Sequence, residues 1–156
     1  MKMFKVILIL SCFMIIPSCS GDDSNKPSSN DTFFAKINGE EFNAEFATGF
    51  VTTFNTTLTI SGSDGKGKEV TLNFPLTATA GSTYTVENLE FIAGYDASEN
   101  DVSMAKSGGL VTITSHDADA KRVSGIFSFT TEPVAQGSGN SYVFTEGAFN
   151  VSYTEL

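Results

Sequence analysis

The chain predicts an all-β domain, an antiparallel β-sandwich or barrel of about ten strands with hairpin connections. Three observations lead there. Apolar residues recur at every second position over most of Thr32 to Tyr153, and no window sustains a helical period. Turn residues punctuate that pattern about every 12 residues, the spacing of short strands in succession. Phenylalanine is as abundant as glycine, at 14 each, and threonine is frequent, a make-up that favours strands over helices.

The 156 residues give room for one domain of ordinary size. A hydrophobic content of 40% is enough to support a core. The formal charge of −9 argues against nucleic acid as a partner, because binding its backbone needs clustered Lys and Arg.

The chain divides into three parts. Residues 1–18 read as a secretory signal: Lys2 and Lys5, then the apolar run Val6 to Ile16. As a helix, that run of 11 residues spans about 16 Å, too short to cross a bilayer core of about 30 Å. It ends in Ile16-Pro17-Ser18-Cys19, which resembles the lipobox of bacterial lipoproteins. That resemblance implies a diacylglyceryl group on the sulfur of Cys19 and cleavage before it. Cys12 sits in a similar pattern, but cleavage there would leave Phe13 to Ile16 on the mature end. Residues 19–31 are the lipidated cysteine and a polar tether with no hydrophobic residue after Cys19. Asp22 and Asp23 resemble the acidic export signal of surface lipoproteins in Bacteroidota. The expected partner is therefore a membrane, held through the lipid anchor, and the expected location is the outer membrane of a cell envelope. Acyl chains contribute about 0.8 kcal/mol per buried CH₂, and two or more anchor stably. With both cysteines spent in the leader and at Cys19, the mature domain must rely on its core without a disulfide.

Residues 32–156 form the expected single all-β domain. Phe33, Ala35 and Ile37 share one face, Asn38-Gly39 turns, and Phe42, Ala44 and Phe46 return. Asn-Gly favours a hairpin because both central residues of a type I′ turn need positive φ. Leu58 and Ile60 lead to a turn at residues 63–67, after which Val70, Leu72 and Phe74 alternate up to Pro75. Tyr84 and Val86 form a short strand, and Phe91, Ala93 and Tyr95 another. Ala97 to Gly109 reads as the longest irregular stretch. Val111 and Ile113 pair through a turn at residues 117–121 with Val123, Gly125, Phe127 and Phe129. The last strand places Val143, Thr145, Gly147, Phe149, Val151 and Tyr153 on one face. Pairing Gly125 with Gly147 sets the expected register of the final hairpin. The expected interior is filled by Phe33, Ile37, Phe42, Phe46, Leu72, Phe74, Phe127, Phe129 and Phe149.

The segments FFAKINGEEFNA (33–44), GSTYTV (81–86), GLVTITSHDADAKRVSGIFSFT (109–130) and YVFTEGAFNV (142–151) resemble a Bacteroidota lipoprotein family of unknown function. The resemblance implies a lipid anchor and a small all-β domain. It brings no activity, ligand or catalytic residue.

Tests for chemistry return little. GSDGKGKE at 62–69 approaches a phosphate loop, but Glu69 stands where Ser or Thr is needed and a strand follows where a helix is needed. His116, the sole histidine, reads as an exposed turn residue. Without further His or Cys no zinc site is expected, and no G-x-S-x-G elbow presents a serine. Asp96, Glu99 and Asp101 are a weak calcium candidate, lacking the EF-hand pattern. The sequons at Asn55 and Asn150 read as chance matches. The absence of tryptophan removes the largest platform for a sugar, leaving Tyr84, Tyr95 and Tyr142. Ile126, Tyr142 and Phe144 have the opposite parity to the core set and are the candidate partner surface. The functional expectation is a non-enzymatic binding or interaction module without a cofactor, whose partner is a protein or a glycan. A carboxylate-dependent hydrolase and a carrier of a hydrophobic ligand are the alternatives.

Overall fold

A computed structural model describes residues 30–51, 56–134 and 139–155. Eleven strands and no helix are found among them: β1 (Thr32–Ile37), β2 (Glu40–Asn43), β3 (Phe46–Val51), β4 (Thr57–Ser63), β5 (Glu69–Pro75), β6 (Thr83–Thr85), β7 (Ile92–Ser98), β8 (Asp101–Ala105), β9 (Leu110–Asp117), β10 (Arg122–Pro133) and β11 (Val143–Glu155).

Two long strands, β10 and β11, organise the rest. Over most of their length they pair with each other inside one sheet, ordered β2-β1-β11-β10-β9-β6. Each then bends away at its C-terminal end. Thr131 to Pro133 of β10 pair with β8, and Tyr153 to Glu155 of β11 pair in parallel with β3. Between those two ends run β3, β4, β5, β7 and β8. The hydrogen bonding therefore closes on itself, and the fold is a barrel-like sandwich whose corners are strands that change sheet. The one parallel pair among the described residues, β11 with β3, joins segments far apart in sequence and needs no crossover helix.

The expected hairpins are present at β1–β2, β4–β5 and β9–β10. Asn38 and Gly39 both have positive φ, 52° and 85°, as the type I′ turn requires. The near phosphate loop is the β4–β5 turn, where Asp64 accepts the amides of Lys66 and Lys68.

Four expectations are corrected. Ala97 to Gly109 is not mainly irregular: β7 and β8 form a hairpin through it, turning at Glu99 and Asn100. Phe46 is 48% exposed, because the chain breaks at Ala44 and Glu45 before β3 starts in the other sheet. That break reverses the parity, so Ala47 and Val51 face inwards instead. The final hairpin pairs Gly125 with Phe149 and Phe127 with Gly147, two positions from the expected register. Finally, a bulge at Thr145 and Glu146, with Glu146 at φ 53°, reverses the parity of the start of β11. Phe144 is buried and Val143 is exposed, the opposite of simple alternation.

The interior is filled by rings in contact. Phe33 meets Phe42 and Phe127, Phe74 stacks on Phe149, and Phe129 stacks on Phe127 and Phe144. Of the expected core residues, all but Ile37 and Phe46 are buried. Ile37 packs against the core from its margin.

Candidate functional site

β1 carries two features of different kind at its two ends. At its start, Asp31 is locked into the fold. Arg122 Nη1 lies 3.0 Å from Asp31 Oδ1, whose side chain is only 5% exposed. Ser152 donates its amide to the same oxygen. The guanidinium also donates to Asn150 Oδ1, Ser152 Oγ and the carbonyl of Asn30. The described residues begin at Asn30 and Asp31, inside the segment assigned to the tether. Asn150, the second sequon position, is occupied by this network; Asn55 lies outside the described residues.

At the far end of β1 is a cleft of about 240 Å³, lined by Ile37, Asn38, Glu40, Glu41, Phe42, Lys68, Tyr95 and Tyr142. Its parts come from four separate stretches of chain. The β1–β2 turn is fixed to the start of β11: Asn38 donates its amide to the Val143 carbonyl, and Val143 donates to Asn38 Oδ1, both at 2.8 Å. Glu40 shares a face with Phe42, on the cleft side of the hairpin. Glu41 points to the other face, where its charge acts on Lys36. Glu41 nonetheless counts among the residues that line the cleft. A two-residue turn closes on a hydrogen-bonded Ile37–Glu40 pair, so the next pair directs its peptide groups outwards. For Glu41 that direction is the open edge of β2.

The opposite wall is aromatic. Tyr95 and Tyr142 meet edge to face at 4.8 Å. Tyr142 is held in place by Asp101, which accepts its hydroxyl at 2.5 Å and takes the amide and side chain of Asn140 at 2.8 Å each. The bond from Tyr142, followed by those from Asn140, holds the Asp101 carboxyl below its ordinary value. Desolvation first, then the bond to Asp101, raises Tyr142. Tyr95 is 2% exposed, and burial, with smaller effects of Tyr142, Asp64 and Asp101, pushes its hydroxyl up to about 12. That hydroxyl has no hydrogen-bond partner among the described residues, where no fully buried polar side-chain atom is left unpaired. It therefore reaches the cleft, which Tyr95 lines.

The partner surface read from the sequence is not assembled. Phe144 is 1% exposed and stacks on Phe129, and Tyr142 belongs to the cleft wall. Ile126 alone remains exposed, beside a shallow groove with Leu110 and Ala148 on the outer sheet face. The reason is the bulge at Glu146, which turned Phe144 inwards. The calcium candidates are not gathered either: Asp101 is engaged by Asn140 and Tyr142, while Asp96 lies along β7 and Glu99 in the turn beyond it. Among the described residues, no group of three His, Cys, Asp or Glu is placed to hold a metal ion. Cys19 lies outside the described residues.

His116 is not a free turn residue. It is the penultimate residue of β9, half-buried, between the carbonyl of Ala78 at 2.7 Å and the hydroxyl of Tyr153 at 2.9 Å. A carbonyl only accepts, so Nδ1 carries the proton, and in the neutral ring Nε2 accepts from Tyr153. Both nitrogens are used in tying the segment at Ala78 to β11.

Fold and site together define a small, disulfide-free, barrel-like β domain with a polar, aromatic-walled cleft at one end. The chain belongs to the family described as a domain of unknown function (DUF6252), whose profile matches residues 29–151. No curated protein and no solved structure matches it.

Proposed function

We propose that this is a lipid-anchored protein of the cell envelope, seated in the outer membrane through Cys19, whose domain is a non-enzymatic binding module. The observation that supports the reading is that Asp31, at the start of the described residues, and the cleft lie at opposite ends of one strand. The chain enters the fold at Asp31 under Arg122, and the cleft opens beside Ile37 and Asn38. Asp31 and Ile37 are six residue steps apart on an extended strand, about 20 Å at 3.4 Å per residue. An anchor at one end leaves the other end facing away from the bilayer, open to a partner.

The chemistry supports binding over hydrolysis. A hydrolase of this type needs two facing carboxylates. Glu40 and Glu41 are neighbours on one strand and project to opposite faces. Carriage of an apolar ligand is opposed by an interior already occupied by stacked rings.

Two measurements test this reading. Cys19→Ser should leave unprocessed precursor and abolish detergent-dependent release from membranes; normal maturation and anchoring of that variant would overturn the lipoprotein assignment. Full-length protein in detergent should capture a component of envelope extract through the cleft. Tyr142→Ala should lose that component and Ile126→Ser should keep it. Equal capture by all three proteins would overturn the cleft as the binding surface.

A further inference from the structure

We infer that the cleft takes a neutral, polyhydroxylated ring, a single saccharide unit; this rests on the domain being a binding module. The groups facing the cleft are mixed in sign and in hydrogen-bonding sense. Glu40 supplies a carboxylate and Lys68 an ammonium, and neither makes an ion pair among the described residues. The Tyr95 hydroxyl both donates and accepts, and Glu41, on the open edge of β2, also lines the cleft. An anionic ligand would meet Glu40, and a cationic one would meet Lys68. A hydroxyl donates and accepts at once, so a ring bearing several of them satisfies both without a charge conflict.

The second observation is Tyr95 itself. Its hydroxyl has no protein partner among the described residues and opens on the cleft, so its donor and its acceptor are both available to a ligand there. Its ring is fixed by Tyr142 and Phe144, and Tyr142 is fixed by Asp101, so this donor is pre-oriented. Size agrees with one ring. At about 240 Å³ the cleft is smaller than the 300–1,000 Å³ typical of drug-sized sites. It is open to solvent, so a chain linked to that ring can continue outwards.

The experiment is saturation-transfer NMR on the full chain in detergent micelles. The probes are the methyl pyranosides of glucose, galactose and mannose, N-acetylglucosamine, and short oligomers of each. Glucuronate, glucosamine and a lysine-rich peptide serve as charged comparisons. Saturable binding of at least one neutral probe is expected. Tyr95→Phe, which removes one oxygen, should weaken it about tenfold, and Lys68→Ala, at an exposed position, should weaken it without unfolding. Ile126→Ser should leave it unchanged. A monomer and its oligomers binding alike, or the oligomer binding tighter, both support the site. No saturation by any neutral probe, preference for a charged probe, or equal affinity in Tyr95→Phe and Lys68→Ala would overturn the inference. If those probes fail while Tyr142→Ala still loses its captured envelope component, the binding module stands and the saccharide assignment falls.

Discussion

Gly147 lies directly opposite Phe127 across the β10–β11 pair, and the Phe127 ring fills the space a side chain at 147 would need. A Cβ built on Gly147 would sit 2.5 Å from ring carbons Cδ2 and Cε2. The relationship repeats in reverse two residues along. Gly125 faces Phe149, and a Cβ there would lie 2.5 Å from that ring's Cζ. Each strand gives up one side chain so that the other can lay a ring across the pair. Neither glycine has a positive φ, so what these positions require is space, not backbone freedom.

Gly147→Ala and Gly125→Ala should therefore each destabilise the domain, by about 1–3 kcal/mol, as overpacking does. Urea unfolding would show a lower midpoint with an unchanged slope. Phe127→Leu combined with Gly147→Ala should cost less than the sum of the two single changes, because the smaller side chain vacates the contested volume. Strict additivity in that cycle would sink the account.

These glycines also show what was legible in the sequence. Alternation and turn chemistry located the hairpins at Asn38-Gly39, at residues 63–67 and at residues 117–121, because those signals are local. Pairing of β10 with β11 followed from the same pattern, but its register did not. The bulge at Glu146, a non-glycine residue in the left-handed region, then shifts the pairing by one residue at the start of β11, which period-two counting cannot see. A glycine inside a strand pattern, here Gly147, is the one available hint of a bulge. The cleft was illegible for another reason. Asn38, Lys68, Tyr95 and Tyr142 meet only because four distant segments converge, and no spacing along the chain encodes that. Tyr95 and Tyr142 were noted as possible platforms, but nothing placed them together.

The bulge makes a sharp prediction about Val143 and Phe144, with Ile126 of β10 as an exposed comparison. Phe144→Ala should cost about 3–5 kcal/mol, the range for truncating a buried phenylalanine. Val143→Ala and Ile126→Ser, at positions 47% and 51% exposed, should stay within about 0.5 kcal/mol of the parent. Thermal or urea unfolding of the three variants checks this. A severe loss from Val143→Ala with a mild one from Phe144→Ala would restore plain alternation and remove the bulge.

Arg122 should matter more than an ordinary surface cation. It is 28% exposed at its side chain, against 5% for Asp31. Arg122→Met keeps much of the apolar stem but leaves the Asp31 carboxylate with only the donors of Ser152. The expected loss is about 2 kcal/mol, between an exposed pair and a buried one. Asp31→Asn should cost less, because it removes the charge that needs compensation. Hydrogen exchange at the start of β1 should rise in Arg122→Met. Unchanged exchange there would mean that the clamp does not hold the entry of the chain.

Asp101 predicts an acid-sensitive cleft wall. Its carboxyl is held below the ordinary 3.8 by the hydroxyl of Tyr142 and by Asn140. A carboxyl whose pKa is lowered in the folded state stabilises that state once pH exceeds its unfolded value, and the contribution is lost as pH falls through the folded one. From neutrality down to about pH 5 the latch should be intact, since both states are ionised. Below 3.8 the folded state progressively loses it, and the segment from Asn140 to Tyr142 should loosen before the whole domain unfolds. Amide exchange or tyrosine ring signals of Tyr142 and Tyr95, followed from pH 6 to pH 2.5, would register the change. In Asp101→Asn the same signals should already look released at pH 6 and should no longer shift with acid. If Tyr142 in the parent is unmoved down to pH 2.5, or if Asp101→Asn titrates as the parent does, Asp101 is not the group that positions this wall.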